Sequence, residues 1–102
     1  MDYKLPDKDY TLKELMRIIT HYVNSIETYH LSLLMFPDIL DQIMEDIYEC
    51  EGKYLDAMNR YIALYEKEKI TNTVISLTYT RYYKQMKEFK NSGYKLPPKG
   101  SS

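Results

Sequence analysis

Cysteine occurs once in this chain, at Cys50, tryptophan not at all, and glycine only three times among 102 residues. A single thiol excludes an internal disulfide and a cysteine-based metal site, and it suits a reducing compartment. The glycines stand alone at 52, 93 and 100, so there is no glycine-rich loop to cradle a phosphate. Nucleophile-elbow and zinc-type spacings are missing as well. No apolar run approaches the roughly 18 residues of a membrane span. The opening Met1-Asp2-Tyr3-Lys4-Leu5-Pro6 lacks the charged-then-apolar layout of a signal peptide. These absences lead us to expect an intracellular, cytoplasmic chain that is not an enzyme, with no cofactor, metal, membrane or small-molecule substrate.

What is present is enough to fold. Hydrophobic residues make up 44% and charged residues 28% of the chain, which is too apolar for a disordered segment. At this length one small domain with a thin core is expected. Twelve tyrosines, with many Ile, Lys and Met, are what the codons of an AT-rich genome encode. That skew points to a microbe of low GC content, or to a virus or other mobile element living in one. The net charge of −1 conceals a polarity. Residues 1 to 68 hold seven Lys/Arg against fourteen Asp/Glu, net −7, whereas residues 69 to 102 hold seven against Glu88 alone, net +6.

Residues 1–10 read as a lead-in arm. Thr11-Leu12-Lys13-Glu14 is a capping box, in which side chain and backbone satisfy each other's orphan groups at a helix start. From there Leu12, Leu15, Ile19, Tyr22, Ile26, Tyr29, Leu33 and Phe36 keep the 3-4 spacing of a heptad seam, widened by Met16 and Val23. Pro37 has no N–H to continue that helix but suits the first position of a new one, with Asp38 on the positive end of its dipole. A second seam follows through Leu40, Ile43, Ile47, Cys50, Tyr54, Ala57, Tyr61 and Leu64, flanked by Met44, Met58 and Tyr65. Gly52 falls opposite this stripe, so it reads as a weak point in the solvent face of one long helix. The phase of the pattern passes through Pro37 unchanged. An antiparallel hairpin is therefore the favoured architecture, and a long helix kinked at the proline is the alternative. A third helix is expected from the Thr71-Asn72-Thr73 cap through Ile75, Tyr79, Tyr82, Tyr83, Met86 and Phe89, although the alternation from Ile75 to Tyr79 is also strand-like. Asn91-Ser92-Gly93 ends it, and 92–102 reads as a flexible tail. The predicted fold is thus all-α, a small bundle with helices at about 11–35, 38–67 and 72–91, two long and antiparallel and one shorter, which we expect to be oligomeric.

Few residues suggest chemistry. Glu27 and His30 have the Glu-x-x-His spacing of di-iron bundles, but Glu27 lies on the solvent side of the seam and His30 at its edge. His21 is expected on the polar face, and Cys50, on the seam, as a buried small hydrophobe. Tyr3-Lys4-Leu5-Pro6 recurs as Tyr94-Lys95-Leu96-Pro97 at the other end of the chain, which would suit paired extended arms for one kind of groove. Tyrosine is enriched at interfaces, and the candidate protein-contact residues are Tyr54, Tyr61, Tyr65, Tyr79, Tyr82 and Tyr83. The expected function is a small protein-interaction or assembly module that binds a protein partner or itself as a homodimer or higher oligomer. The alternative is a nucleic-acid accessory subunit, in which Arg81, Lys84, Lys87 and Lys90 meet phosphates while the tyrosines between them stack on bases.

Overall fold

The computed structural model describes residues 3–71 and 73–91. The described residues form three α-helices: α1 (Leu12–Met35), α2 (Leu40–Ile70) and α3 (Leu77–Asn91), with a 3-10 turn at Pro37–Ile39 between the first two. Among the described residues there is no strand. The molecule is elongated, 51 × 27 × 20 Å.

The capping box forms as the sequence predicts. Thr11 Oγ1 accepts from the Glu14 N–H at 3.1 Å, and Glu14 Oε1 accepts from the Thr11 N–H at 2.9 Å. That backbone donor also holds the Glu14 carboxyl below the usual range. At the far end of α1 the Phe36 N–H still reaches the Ser32 carbonyl at 2.8 Å, but Pro37 has no N–H to offer the next one. The chain turns there, and α2 runs back along α1. Four pairs mark the antiparallel register: Arg60 lies over the Tyr10 ring at 5.5 Å, Lys53 over Tyr22 at 6.0 Å, and Asp46 and Glu49 are each within electrostatic reach of Tyr29. The hairpin is the architecture, and the kinked rod is not.

Burial follows the two seams over most of their length. Leu12, Leu15, Ile19 and Ile26 of α1 and Ile47, Tyr54, Ala57 and Tyr61 of α2 are buried, together with Met58, Ile62 and Tyr65. The seams fail only where they meet, since Phe36 and Leu40 at the turn are exposed. The apolar pattern there continues past the point at which the two helices can face each other.

α3 starts later than its first cap signal. Thr71 closes α2 instead, with its N–H on the Lys67 carbonyl at 3.2 Å and its hydroxyl on the Glu68 carbonyl at 3.0 Å. Ser76 opens α3, its Oγ accepting from the Thr78 N–H at 3.3 Å and its carbonyl from the Thr80 N–H at 3.1 Å. The reason is tertiary. The α3 backbone must lie beside Tyr61, far back from the end of α2, and residues 73–76 carry the chain to it without regular structure. The expected cap beyond Asn91 and the tail at 92–102 lie outside the described residues.

The lead-in is a strap along α2. Leu5 is buried in the main core, its N–H donating to Asp56 Oδ2 at 2.8 Å. Arg60 bonds Asp56 at 3.0 Å and donates to the Leu5 and Pro6 carbonyls at 3.1 and 3.2 Å. Tyr3 crosses Gly52: a Cβ built on that glycine would overlap the Tyr3 Cβ and lie 3.0 Å from the Tyr3 carbonyl oxygen. Gly52 is therefore a docking point, not a weak spot in a solvent face. A residue without a side chain is needed where another backbone comes this close.

Candidate interaction surface

The structure brings all six sequence-predicted contact tyrosines together, and it does so inside the chain. Tyr54, Tyr61 and Tyr65 on α2 are buried, while Tyr79, Tyr82 and Tyr83 on α3 are half-buried against that cluster. Tyr61 and Tyr82 meet edge-on with ring centroids 5.2 Å apart, and Tyr65 and Tyr83 stack at 4.1 Å. Three of the hydroxyls bond within the chain. Tyr61 donates to the Tyr79 carbonyl at 2.8 Å, Tyr65 to Thr80 at 3.1 Å and Tyr83 to Glu66 at 2.7 Å. Burial pushes the Tyr61 and Tyr82 hydroxyls up, and the bond to Glu66 raises Tyr83 to about 12. These rings fix α3 to α2.

The basic residues of α3 do not form one stripe. Arg81, Lys84 and Lys90 are exposed, whereas Lys87 is half-buried and pairs with Glu66 at 3.4 Å. A spacing of three residues falls short of the about 3.6 of a helical turn, so the series winds half-way round the helix from Arg81 to Lys90. Phosphates along one strand would meet only part of it.

Glu27 is exposed and His30 partly buried, and no group of three His, Cys, Asp or Glu comes together among the described residues. His21 is exposed, with its ring edge-on to Tyr22 at 4.9 Å. Cys50 is half-buried, and burial above all raises its thiol, which keeps it protonated near neutral pH. No helix among the described residues is long and apolar enough to cross a membrane.

The two seams do not account for the end of the hairpin. Leu31, Leu34, Met35, Phe36 and Leu40 are 44% to 71% exposed and cluster at the α1–α2 turn. Leu31, Leu34 and Met35 stand at i, i+3 and i+4, on the α1 face turned away from the seam, while Phe36 and Leu40 finish the seams themselves. Apart from Ser32, whose hydroxyl bonds the Thr28 carbonyl, the last turn of α1 is thus apolar. A signal was present, because the run Leu33-Leu34-Met35-Phe36 is too continuous for a helix with one buried face. The same end of the molecule is uniformly acidic. From Ile18 to Gly52 there is no Lys or Arg, and Glu27, Asp38, Asp41, Glu45, Asp46, Glu49 and Glu51 all fall in that span. At the opposite end Ile70, Val74 and Leu77 are exposed beside Lys67, Lys69 and Arg81, with Glu66 and Glu68 in the same stretch. α3 covers only the half of the hairpin near Tyr61, so the acidic half remains a two-helix layer. No family model, curated protein or solved structure matches the chain.

Proposed function

We propose that this protein is a non-enzymatic assembly module whose hairpin end docks on another protein chain. The observation that carries the reading is the apolar cluster of Leu31, Leu34, Met35, Phe36 and Leu40 on an acidic helical end. Contiguous exposed apolar surface with a charged rim is what interaction sites offer and what isolated chains avoid. A fitting partner presents an apolar patch within a basic rim. A second copy of this chain offers an apolar patch at Ile70, Val74 and Leu77, where Lys67, Lys69 and Arg81 outnumber Glu66 and Glu68. End-to-end contact of two hairpin turns would instead set Asp38 and Asp41 against their own counterparts. The supported arrangement is therefore head to tail, a heterologous contact that closes into a ring or continues as a filament.

Light scattering on size-exclusion fractions tests this. The full chain is expected above monomer mass, increasingly so at higher concentration, and Met35→Glu is expected to return it to monomer while leaving its helical circular dichroism intact. A chain that is monomeric throughout sinks the reading. Salt discriminates the nucleic-acid alternative. Phosphate contacts would give oligonucleotide binding that weakens steeply with ionic strength, and none is expected from a helix whose cations are spread round it.

A further inference from the structure

The arm's contacts with α2 read as a recognition site for one short sequence, and the chain carries that sequence twice. Three of the four residues in Tyr3-Lys4-Leu5-Pro6 have a defined place on α2. The Tyr3 ring system lies over Gly52, with its hydroxyl on the Glu45 carboxylate at 2.5 and 3.0 Å. Leu5 fills a buried position and bonds Asp56 through its N–H, while Arg60 takes the carbonyls of Leu5 and Pro6. Lys4 is exposed and lines a shallow pocket with Asp7, Glu49, Lys53 and Arg60. Tyr94-Lys95-Leu96-Pro97 repeats all four residues and lies outside the described part of the chain. Every contact made by the first tetrapeptide uses either its backbone or a side chain that the second also has. The one partner not reproduced is Tyr10, whose hydroxyl also bonds the Pro6 carbonyl at 3.1 Å, since Pro98 and Lys99 follow Pro97.

We infer that the α2 groove at Gly52, Asp56 and Arg60 also binds Tyr94-Lys95-Leu96-Pro97 from a second copy of this chain, in exchange for the first copy's own N-terminal arm. Orientation selects the second copy. The groove faces away from α3, since Asp56 and Tyr65 are two and a half turns apart on α2, at about 3.6 residues per turn, and so point in opposite directions, and Tyr94 follows the last residue of α3 by only three positions, a reach of about 10 Å. The two copies of the motif compete for one groove, as exchanged elements do in domain swapping. The resident arm has the advantage of being tethered, so the exchanged form grows with concentration and with any weakening of Tyr3 or Leu5. This contact is separate from the hairpin-end contact proposed above and survives its failure.

The test is a pair of measurements on the full chain carrying Met35→Glu, which removes the hairpin-end contact. In the first, Tyr3→Ala and Leu5→Ala are added. The mass by light scattering is expected to double with concentration, and adding Tyr94→Ala with Leu96→Ala is expected to restore the monomer. A mass that stays monomeric, or a dimer indifferent to Tyr94 and Leu96, overturns the inference. Because Leu5 is a core residue, the second measurement leaves the arm intact. A photo-crosslinking benzoylphenylalanine replaces Tyr94, and the linked peptides are identified by mass spectrometry. Links between chains to residues 45–56 are expected. Links only elsewhere, or none at high concentration, overturn the exchange whatever becomes of the first variant.

Discussion

Tyr61 has no solvent exposure, yet its phenol is not stranded, because the Tyr79 carbonyl lies 2.8 Å away. Tyr61→Phe removes that bond while keeping the ring, and a net loss of about 1 kcal/mol is expected in urea unfolding, without a change in far-ultraviolet dichroism. Gly52 makes the opposite point about reading one position at a time. In an isolated helix alanine would be better than glycine by about 1 kcal/mol, but here a methyl group meets Tyr3. Gly52→Ala is therefore expected to loosen the arm, visible as faster hydrogen exchange at the Leu5 amide that Asp56 now holds; unchanged Leu5 exchange would show that the glycine does not serve the arm. Helical periodicity assigned Gly52 to solvent correctly as far as its own helix goes. Periodicity is silent about an irregular segment that comes to lie there, and a glycine inside a long helix is itself the mark of a close approach.

The helices were legible in the sequence to differing degrees, and the differences have physical causes. α1 carries its own instructions, a capping box at Thr11 and a stop at Pro37, and both operate as written. α3 does not. The polar residues at Thr71 and Thr73 were as good a cap as Ser76, and the choice between them is made by the tyrosine contacts with α2, which only the folded chain supplies. For the same reason the six tyrosines read equally well as an outer interface or an inner one. Because α3 is held mainly by this contact and by Met86, which is buried in the main core, Met86→Ala is expected to cost at least about 2 kcal/mol. The chemical-denaturation midpoint checks this, and a negligible shift would mean that α3 is not part of the cooperative core.

Charge and titration act on the molecule as one body. Tyr3 and Tyr83 each donate to a carboxylate, Glu45 and Glu66, and both hydroxyls are raised to about 12 from an ordinary value of 10.0. A raised value means that the folded chain holds these protons more tightly than the unfolded one, so their contribution is complete below pH 10 and is lost as pH rises toward 12. Glu14 and Glu66 are lowered, by the Thr11 backbone N–H and by the Tyr83 hydroxyl respectively, so their contribution is present above the ordinary 4.5 and fades in acid. The melting temperature is accordingly expected to be flat near neutrality and to fall on both sides. In Tyr3→Phe with Tyr83→Phe the alkaline fall should be shallower, and an unaltered alkaline limb would rule these two groups out as its source. The larger consequence of the charge division is assembly, since an acidic apolar end and an apolar end that carries lysines and an arginine on one elongated molecule invite copies to join. The most direct measurement is the mass of the full chain by light scattering, over a range of concentrations and at low and high salt, beside Met35→Glu. Oligomers that grow with concentration, weaken with salt and disappear in the variant are expected; a strict monomer under every condition, or an oligomer that Met35→Glu leaves intact, would contradict head-to-tail assembly.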